Sequence, residues 1–259
     1  MKNILLLNFI AFILLISCQQ KEKKIDYIVE KASAEVVFTA NDNTQIFGDL
    51  YYKNKTSPII LLFHQARANA KGEYGTIIPK LINEGFNVLA IDQRTGGQYF
   101  GDYNRTIAKS ANNSYKYCDA YPDLEAALQF VIDQGFSGKK IVWGSSYSAA
   151  LVIKLGHEYP EKVDGILAFS PASGKPMEGC GPNGYFDTLK TPLLVLRPKR
   201  EMEIASVKVQ FELAKKNNHQ VYISENGVHG SSMLVENRTK SNNDATWKVV
   251  TTFLAGFKN

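Results

Sequence analysis

Gly144-Ser145-Ser146-Tyr147-Ser148-Ala149-Ala150 follows the apolar run Ile141-Val-Trp143 and opens a stretch with helical spacing of apolar residues. Small residues at 144, 148 and 149 allow a strand to turn sharply into a helix. Such a turn lifts a serine Oγ clear of the sheet, and the first N–H groups of the helix are left to face an oxyanion. Ser146 is the candidate nucleophile, with the Tyr147 N–H as first oxyanion donor. The plainer reading, in which Ser145 and Ser146 only cap the helix, stands beside it.

A serine nucleophile needs a base, and the base needs an acid to hold it; on a turn of this kind the chain order is serine, acid, histidine. Of the four histidines, His229 alone lies in a Gly-bracketed loop after the last strand-like run, in Asn226-Gly-Val-His-Gly230. His157 is read as a surface residue of a helix and His219 as a solvated residue before a strand. His64 ends a strand on the useful edge but precedes the serine. The acid is expected after Leu193-Leu-Val-Leu196, where Glu201 and Glu203 both stand; Glu201 has the better register, and Glu203 stays an alternative. Both are charged residues of a type that usually sits exposed. A second oxyanion donor is expected from the backbone N–H of Gln65 or Ala66, in the loop after Phe63. Arg67 nearby is a candidate cation for an anionic substrate.

These residues need a frame. Ala34–Ala40 and Ile46–Tyr52 flank Asn41-Asp-Asn-Thr44 and read as a hairpin. Beyond it, apolar runs at Pro58–Phe63, Phe86–Ile91, Lys140–Trp143, Gly165–Phe169, Pro192–Leu196 and Gln220–Ile223 alternate with helical patterns. The helices are expected at Tyr74–Glu84, Asp123–Gln134, Tyr147–Glu158, Val207–Lys216 and about Asp244–Phe257. Continuous apolar strands separated by helices predict an α/β fold, a mainly parallel sheet with helices on both faces, in one domain over 33–259. Ligands of such sheets bind outside the carboxyl ends of the strands, where all the candidates above fall.

The 259 residues carry 30 Lys and Arg against 25 Asp and Glu, a net charge of +5 without a basic cluster. That excludes an electrostatic footprint for nucleic acid. Histidines and cysteines lack metal-ligand spacing, so no metal site is expected, and the serine chemistry outlined above implies no cofactor. Residues 1–17 combine Lys2, an apolar stretch too short to span a membrane comfortably, and a polar QQKEKK run just beyond. This pattern is that of a secretory signal, with an uncleaved anchor as the alternative. Leu15-Ile-Ser-Cys18 resembles the lipobox of bacterial lipoproteins, which implies lipidation of Cys18, a tether over 18–32 and an extracytoplasmic, membrane-anchored protein. Disulfides are permitted there. Cys118 and Cys180 fall in connections that both begin at the carboxyl edge of the sheet, so a bond between them is expected, against the alternative of two separate thiols.

Taken together, residues 33–259 resemble the α/β-hydrolase superfamily, with the nearest likeness to dienelactone-hydrolase-like and esterase-like members. The likeness rests on the hairpin, His64-Gln65, Ala90-Ile-Asp-Gln-Arg94, Pro122-Asp-Leu-Glu-Ala-Ala127, the Gly144–Ser148 turn, the Pro192–Leu196 strand with its acid, and the late His229. Ser148 stands where glycine is usual, and Glu201 where aspartate is usual. The resemblance implies that Asp92 and Asp123 organise turns and helix starts. It also implies a serine hydrolase acting on a small-to-medium carboxylic ester. A peptidase or thioesterase of the same fold, and a binding lipoprotein without catalysis, are the rival readings. Residues 95–121 carry six aromatic residues that either wall a pocket or pack a long loop, and the short Pro171–Leu189 segment leaves no room for a large apolar lid.

Overall fold

A computed structural model describes residues 34–110 and 114–258. The expected signal, Cys18 and the tether lie outside the described residues. Eight strands form one sheet: β1 (Ala34–Thr39), β2 (Gln45–Tyr51), β3 (Ile59–Phe63), β4 (Asn87–Asp92), β5 (Lys140–Ser145), β6 (Gly165–Phe169), β7 (Leu193–Pro198) and β8 (Gln220–Ser224). Their order is β1-β2-β4-β3-β5-β6-β7-β8. The hairpin of β1 and β2 adds antiparallel to β4, and the strands from β4 to β8 are mutually parallel. The strands β3 to β7 are apolar on both faces because helices cover both, and every residue of β3, β4, β6 and β7 is buried.

The helices are α1 (Ala70–Tyr74), α2 (Ile78–Asn83), α3 (Arg105–Lys109), α4 (Tyr121–Asp133), α5 (Tyr147–Glu158), α6 (Ala205–Lys216), α7 (Glu236–Thr239) and α8 (Asp244–Ala255). Two apolar layers result. One packs α4 and α5 against Leu61, Phe63, Val142 and Val195; the other packs α1, α2 and α8 against Ile60, Leu62, Trp143 and Leu196. The single helix expected over Tyr74–Glu84 is two short ones. Pro79 has no N–H to continue a helix through residues 75–77, so α2 starts afresh with the proline in its first turn.

Two ion-pair clusters tie the hairpin and loops to the strand ends. Asp92 accepts the Ala70 N–H at the start of α1 at 2.8 Å and also pairs with Arg105, whose guanidinium reaches Asp49 on β2. Asp123 accepts the Arg94 backbone N–H and pairs with its side chain, which also reaches Asp42 in the hairpin turn. The turn-organising roles expected of Asp92 and Asp123 are thus the contacts they make.

The chain runs from β3 out to β4 on one side and later to β5 on the other, so the strand order reverses about β3. A crevice opens at the carboxyl end of the sheet at such a reversal. Phe63 and Gly144 are paired across β3 and β5, which sets the segment after residue 63 beside the segment after residue 145.

Candidate active site

Ser146 leaves β5 with φ 62° and ψ −119°, a conformation that non-glycine residues rarely adopt. Backbone hydrogen bonds hold it there: its N–H donates to Phe169 O at 2.9 Å, and its carbonyl accepts from the N–H groups of Ala149, Ala150 and Ala172. Gly144 is obligatory, since a Cβ there would lie 2.4 Å from Ser148 O. Ser148, by contrast, has room for its side chain, and its Oγ donates to His64 O at 2.6 Å. That explains why serine is accepted where the family pattern has glycine. Ser146 Oγ makes no hydrogen bond among the described residues, and the Tyr147 N–H at the start of α5 is likewise without an acceptor. Tyr147 is itself fully buried, with its hydroxyl on Thr95 O.

His229 follows β8, and its Nδ1 lies 2.5 Å from Glu201 Oε1. Glu201 sits in the single 3₁₀ turn Lys199–Glu203 after β7 and is buried, whereas Glu203 is exposed. The structure therefore brings Glu201, and not Glu203, to the histidine. Arg197, which the sequence reading left out, contacts the other carboxylate oxygen, Nη1 to Oε2 at 3.1 Å. It is buried at the end of β7 and also donates to Pro171 O and Gln210 Oε1. Burial pushes the Glu201 carboxyl up, but the hydrogen bond and charge of His229 and the charge of Arg197 outweigh it and hold Glu201 below the usual range. In sequence Arg197 stands only as a charged residue after the apolar run Leu193–Leu196, and its burial, which calls for a carboxylate, belongs to the fold.

The other histidines have structural surroundings. His64 is fully buried; its Nε2 accepts the Gln93 N–H at 2.9 Å and its Nδ1 therefore donates to Gln65 O at 2.8 Å. Burial pushes its pKa down and keeps it neutral. His157 meets Thr188 Oγ1 at 2.9 Å. His219 is not solvated as expected: it is half-buried, with Nε2 on Phe186 O at 2.7 Å, because the Phe186 loop folds back over that sheet edge.

The two candidates for second oxyanion donor are separated by the structure. The Gln65 N–H is already taken, donating to the buried Glu73 Oε2 at 2.6 Å, so that expectation is corrected. The Ala66 N–H has no acceptor among the described residues, and Ala66 is half-buried beside the crevice. Arg67 is exposed with φ 64° and lies over the Tyr99 ring.

The loop carrying His229 is fastened to the nucleophile turn from below. The Ser231 N–H donates to Ser145 Oγ and the Gly230 N–H to Ser170 Oγ, each at 3.0 Å. Gly230 has φ 67°, and a Cβ on it would sit 2.3 Å from Ser145 Oγ. Cys118 and Cys180 are joined by a disulfide with Cα atoms 5.7 Å apart. Beside it, Tyr117 stacks on Tyr147 with ring centroids 5.0 Å apart. Of the aromatic residues in 95–121, Tyr117 and Tyr121 pack into the body, as the loop-packing reading expects, while Tyr99 and Tyr103 are exposed.

The described residues include no group of His, Cys, Asp and Glu that could hold a metal ion, and no helix long and apolar enough to cross a membrane. A family model described as serine aminopeptidase, S33, matches residues 54–230. No curated protein matches in sequence. Among solved structures, an esterase of Pyrococcus furiosus is similar with a TM-score of 0.67 and 20% identity, covering 87% of this chain and 91% of that one. A dienelactone hydrolase of Anabaena variabilis is similar with a TM-score of 0.64 and 14% identity, over 87% and 98% of the two chains. A thermostable carboxyl esterase of Bacillus coagulans, in complex with glycerol, gives 0.65 and 11%, over 87% and 99%. At these identities the likeness speaks for the fold.

Proposed function

The chain belongs to the α/β-hydrolase family described as serine aminopeptidase, S33, and from that premise we propose that it is a lipid-anchored serine hydrolase of small-to-medium carboxylic esters. In this reading Ser146 Oγ attacks the ester carbonyl while His229 Nε2 takes its proton. The N–H groups of Tyr147 and Ala66 receive the oxyanion, and His229 returns the proton to the departing alkoxide. Water then repeats the sequence on the acyl-enzyme. Glu201 fixes the imidazole through Nδ1 and opposes its developing charge. The observation that carries the reading is the His229–Glu201 contact at 2.5 Å, on the same edge of the sheet as a serine held at φ 62°.

An ester is favoured over an aminopeptidase substrate by the charges at hand. The buried carboxylates at the site are taken, Glu201 by Arg197 and His229 and Glu73 by the Gln65 N–H, and the exposed charge on the oxyanion loop is the cation Arg67, which suits a neutral or anionic ester better than an α-ammonium group. The short segment between β6 and β7 fits a substrate without long acyl chains. The anchoring draws support from the Leu15–Cys18 pattern and from the Cys118–Cys180 bond, since disulfides persist outside reducing compartments.

Labelling by a fluorophosphonate probe, with turnover of aryl acetates set against aminoacyl arylamides, tests the chemistry. Label on Ser146 with ester turnover is the expected outcome, and preferential arylamide turnover points to the peptidase. A protein that takes no label is the non-catalytic lipoprotein. Metabolic labelling with a palmitate analogue tests the anchor: Cys18→Ala should lose the label and release the protein from membranes, and a variant still held by its N-terminus would show an uncleaved anchor.

A further inference from the structure

Glu73 is a fully buried carboxyl that the mechanism above does not use, set where the three parts of the site meet. Its Oε2 accepts the N–H of Gln65 on the oxyanion loop at 2.6 Å. Its Oε1 is buried and has no hydrogen-bond partner. The polar group that faces the carboxyl is the hydroxyl of Ser145, which underlies the nucleophile and itself accepts the Ser231 N–H of the histidine loop. Arg238 is close by, but its hydrogen bonds go to the carbonyls of Gly72 and Glu73 and to Ser232 Oγ, and not to the carboxyl.

An ionised carboxylate would be a buried anion with no ion pair among the described residues, met only by the Gln65 N–H and the neutral hydroxyl of Ser145, which is costly. A protonated one carries no charge to desolvate, while Oε2 goes on accepting from the Gln65 N–H. We propose that Glu73 is a positioning residue held as a neutral carboxylic acid, and that its neutral form is the one in which the Gln65–Ala66 loop can stabilise an oxyanion. The proposal rests on the reading of Ser146 as nucleophile. Ionised Glu73 would place a negative charge on the peptide next to the Ala66 N–H that must receive the negative oxygen of the tetrahedral intermediate, and like charges at such range oppose one another in a dry site.

The surroundings of Glu73 agree. Burial, the largest influence, pushes its pKa up to about 7, against the opposing pull of Ser145, the Gln65 N–H, Arg238 and His229. The other titratable groups that face it are Tyr74 on its own helix and Tyr147 on α5, and burial pushes both hydroxyls well above their usual range, so neither changes charge near neutrality. Asp92, at the end of β4, is committed to Arg105 and the Ala70 N–H. Loss of activity above neutral pH is then assignable to Glu73, separate from the acid limb set by the general base.

The test is kcat/KM for an aryl acetate from pH of about 5.5 to about 9, together with fluorophosphonate labelling across the same range. The wild type should decline roughly ten- to a hundredfold on the alkaline side, the size of a unit-charge repulsion across roughly 6–12 Å under an effective dielectric of about 20. Glu73→Gln, a permanently neutral isostere, should remove that decline and stay within about threefold of wild type at the acid end. Arg238→Gln, which takes away a cation favouring the ionised form, should move the wild-type decline to higher pH, and serves if Glu73→Gln does not fold. A decline that persists in Glu73→Gln, one whose position is unmoved in Arg238→Gln, or a wild type with no decline overturns the proposal while Ser146 still labels. Absence of label at every pH removes the serine-hydrolase reading and this proposal with it.

Discussion

Arg197 and Glu201 stand four residues apart at the end of β7, and the guanidinium of one holds Oε2 of the other at 3.1 Å while Oε1 meets His229 Nδ1. The acid is thereby clamped from one side by a fixed buried cation and reads the histidine from the other. Glu201→Gln should lower kcat for an aryl acetate by roughly 10²–10⁴, as loss of a triad acid does, with Glu203→Gln close to wild type. Arg197→Met should lower Tm as well as kcat, because it leaves Glu201 buried with only His229 for a partner, at a cost of about 3–5 kcal/mol. Steady-state kinetics with thermal unfolding checks all three variants.

Adjacent serines should separate by function. Ser146→Ala should reduce turnover by roughly 10⁴–10⁶ without loss of stability, since its Oγ has no hydrogen bond to lose. Ser145→Ala should keep kcat within about tenfold yet lose about 1–3 kcal/mol, because the Ser231 N–H is left buried without its acceptor. Activity surviving in Ser146→Ala and lost in Ser145→Ala would reverse the assignment of the turn.

The Cys118–Cys180 bond spans 62 residues and joins the aromatic segment to the loop after β6. Replacing both cysteines by serine should cost about 2–5 kcal/mol, most of it through greater freedom of the unfolded chain. For a chain of this size that corresponds to a fall in Tm on the order of 10 °C. Alkylation and intact mass, with and without reduction, should find no free thiol at either position in the native protein.

Glu73 should also leave its mark on stability. Its folded pKa of about 7 lies above the ordinary value of 4.5, so the folded state binds the proton more tightly than the unfolded one. The stability it contributes is fully present below about pH 4.5 and is lost progressively as pH rises to about 7. Urea midpoints at pH of about 5 and about 8 should therefore differ less for Glu73→Gln than for the wild type, and an equal difference would remove the linkage.

The elements that carry the site were legible in the sequence because their signals are local. Apolar runs flanked by helical periodicity mark the strands, and Gly144 with Ser146 marks a turn whose strain only that local pattern produces. His229 was separable from the other histidines by its place after the last strand, and the register of Glu201 was readable to within two residues. Asp92 and Asp123 were assigned to turns and make such contacts. The helix at 74–84 misled, because apolar spacing does not show that Pro79 interrupts the hydrogen-bond ladder.

Relations between residues far apart in the chain were decided only by the tertiary structure. A backbone N–H has no side-chain signature, so the choice between Gln65 and Ala66 depended on finding Glu73 already bonded to the first. Glu73 stands just before the helix expected at Tyr74–Glu84 and carries no local signal of burial; it is buried because α1 packs on β3 and β4 beneath the histidine loop. The same holds for Ser145, whose partner is 86 residues away, and for Arg197, whose guanidinium meets Pro171 and Gln210 as well as Glu201. Periodicity and turn chemistry are properties of a few neighbouring residues, whereas desolvation and hydrogen-bond partnership depend on what the rest of the chain brings alongside.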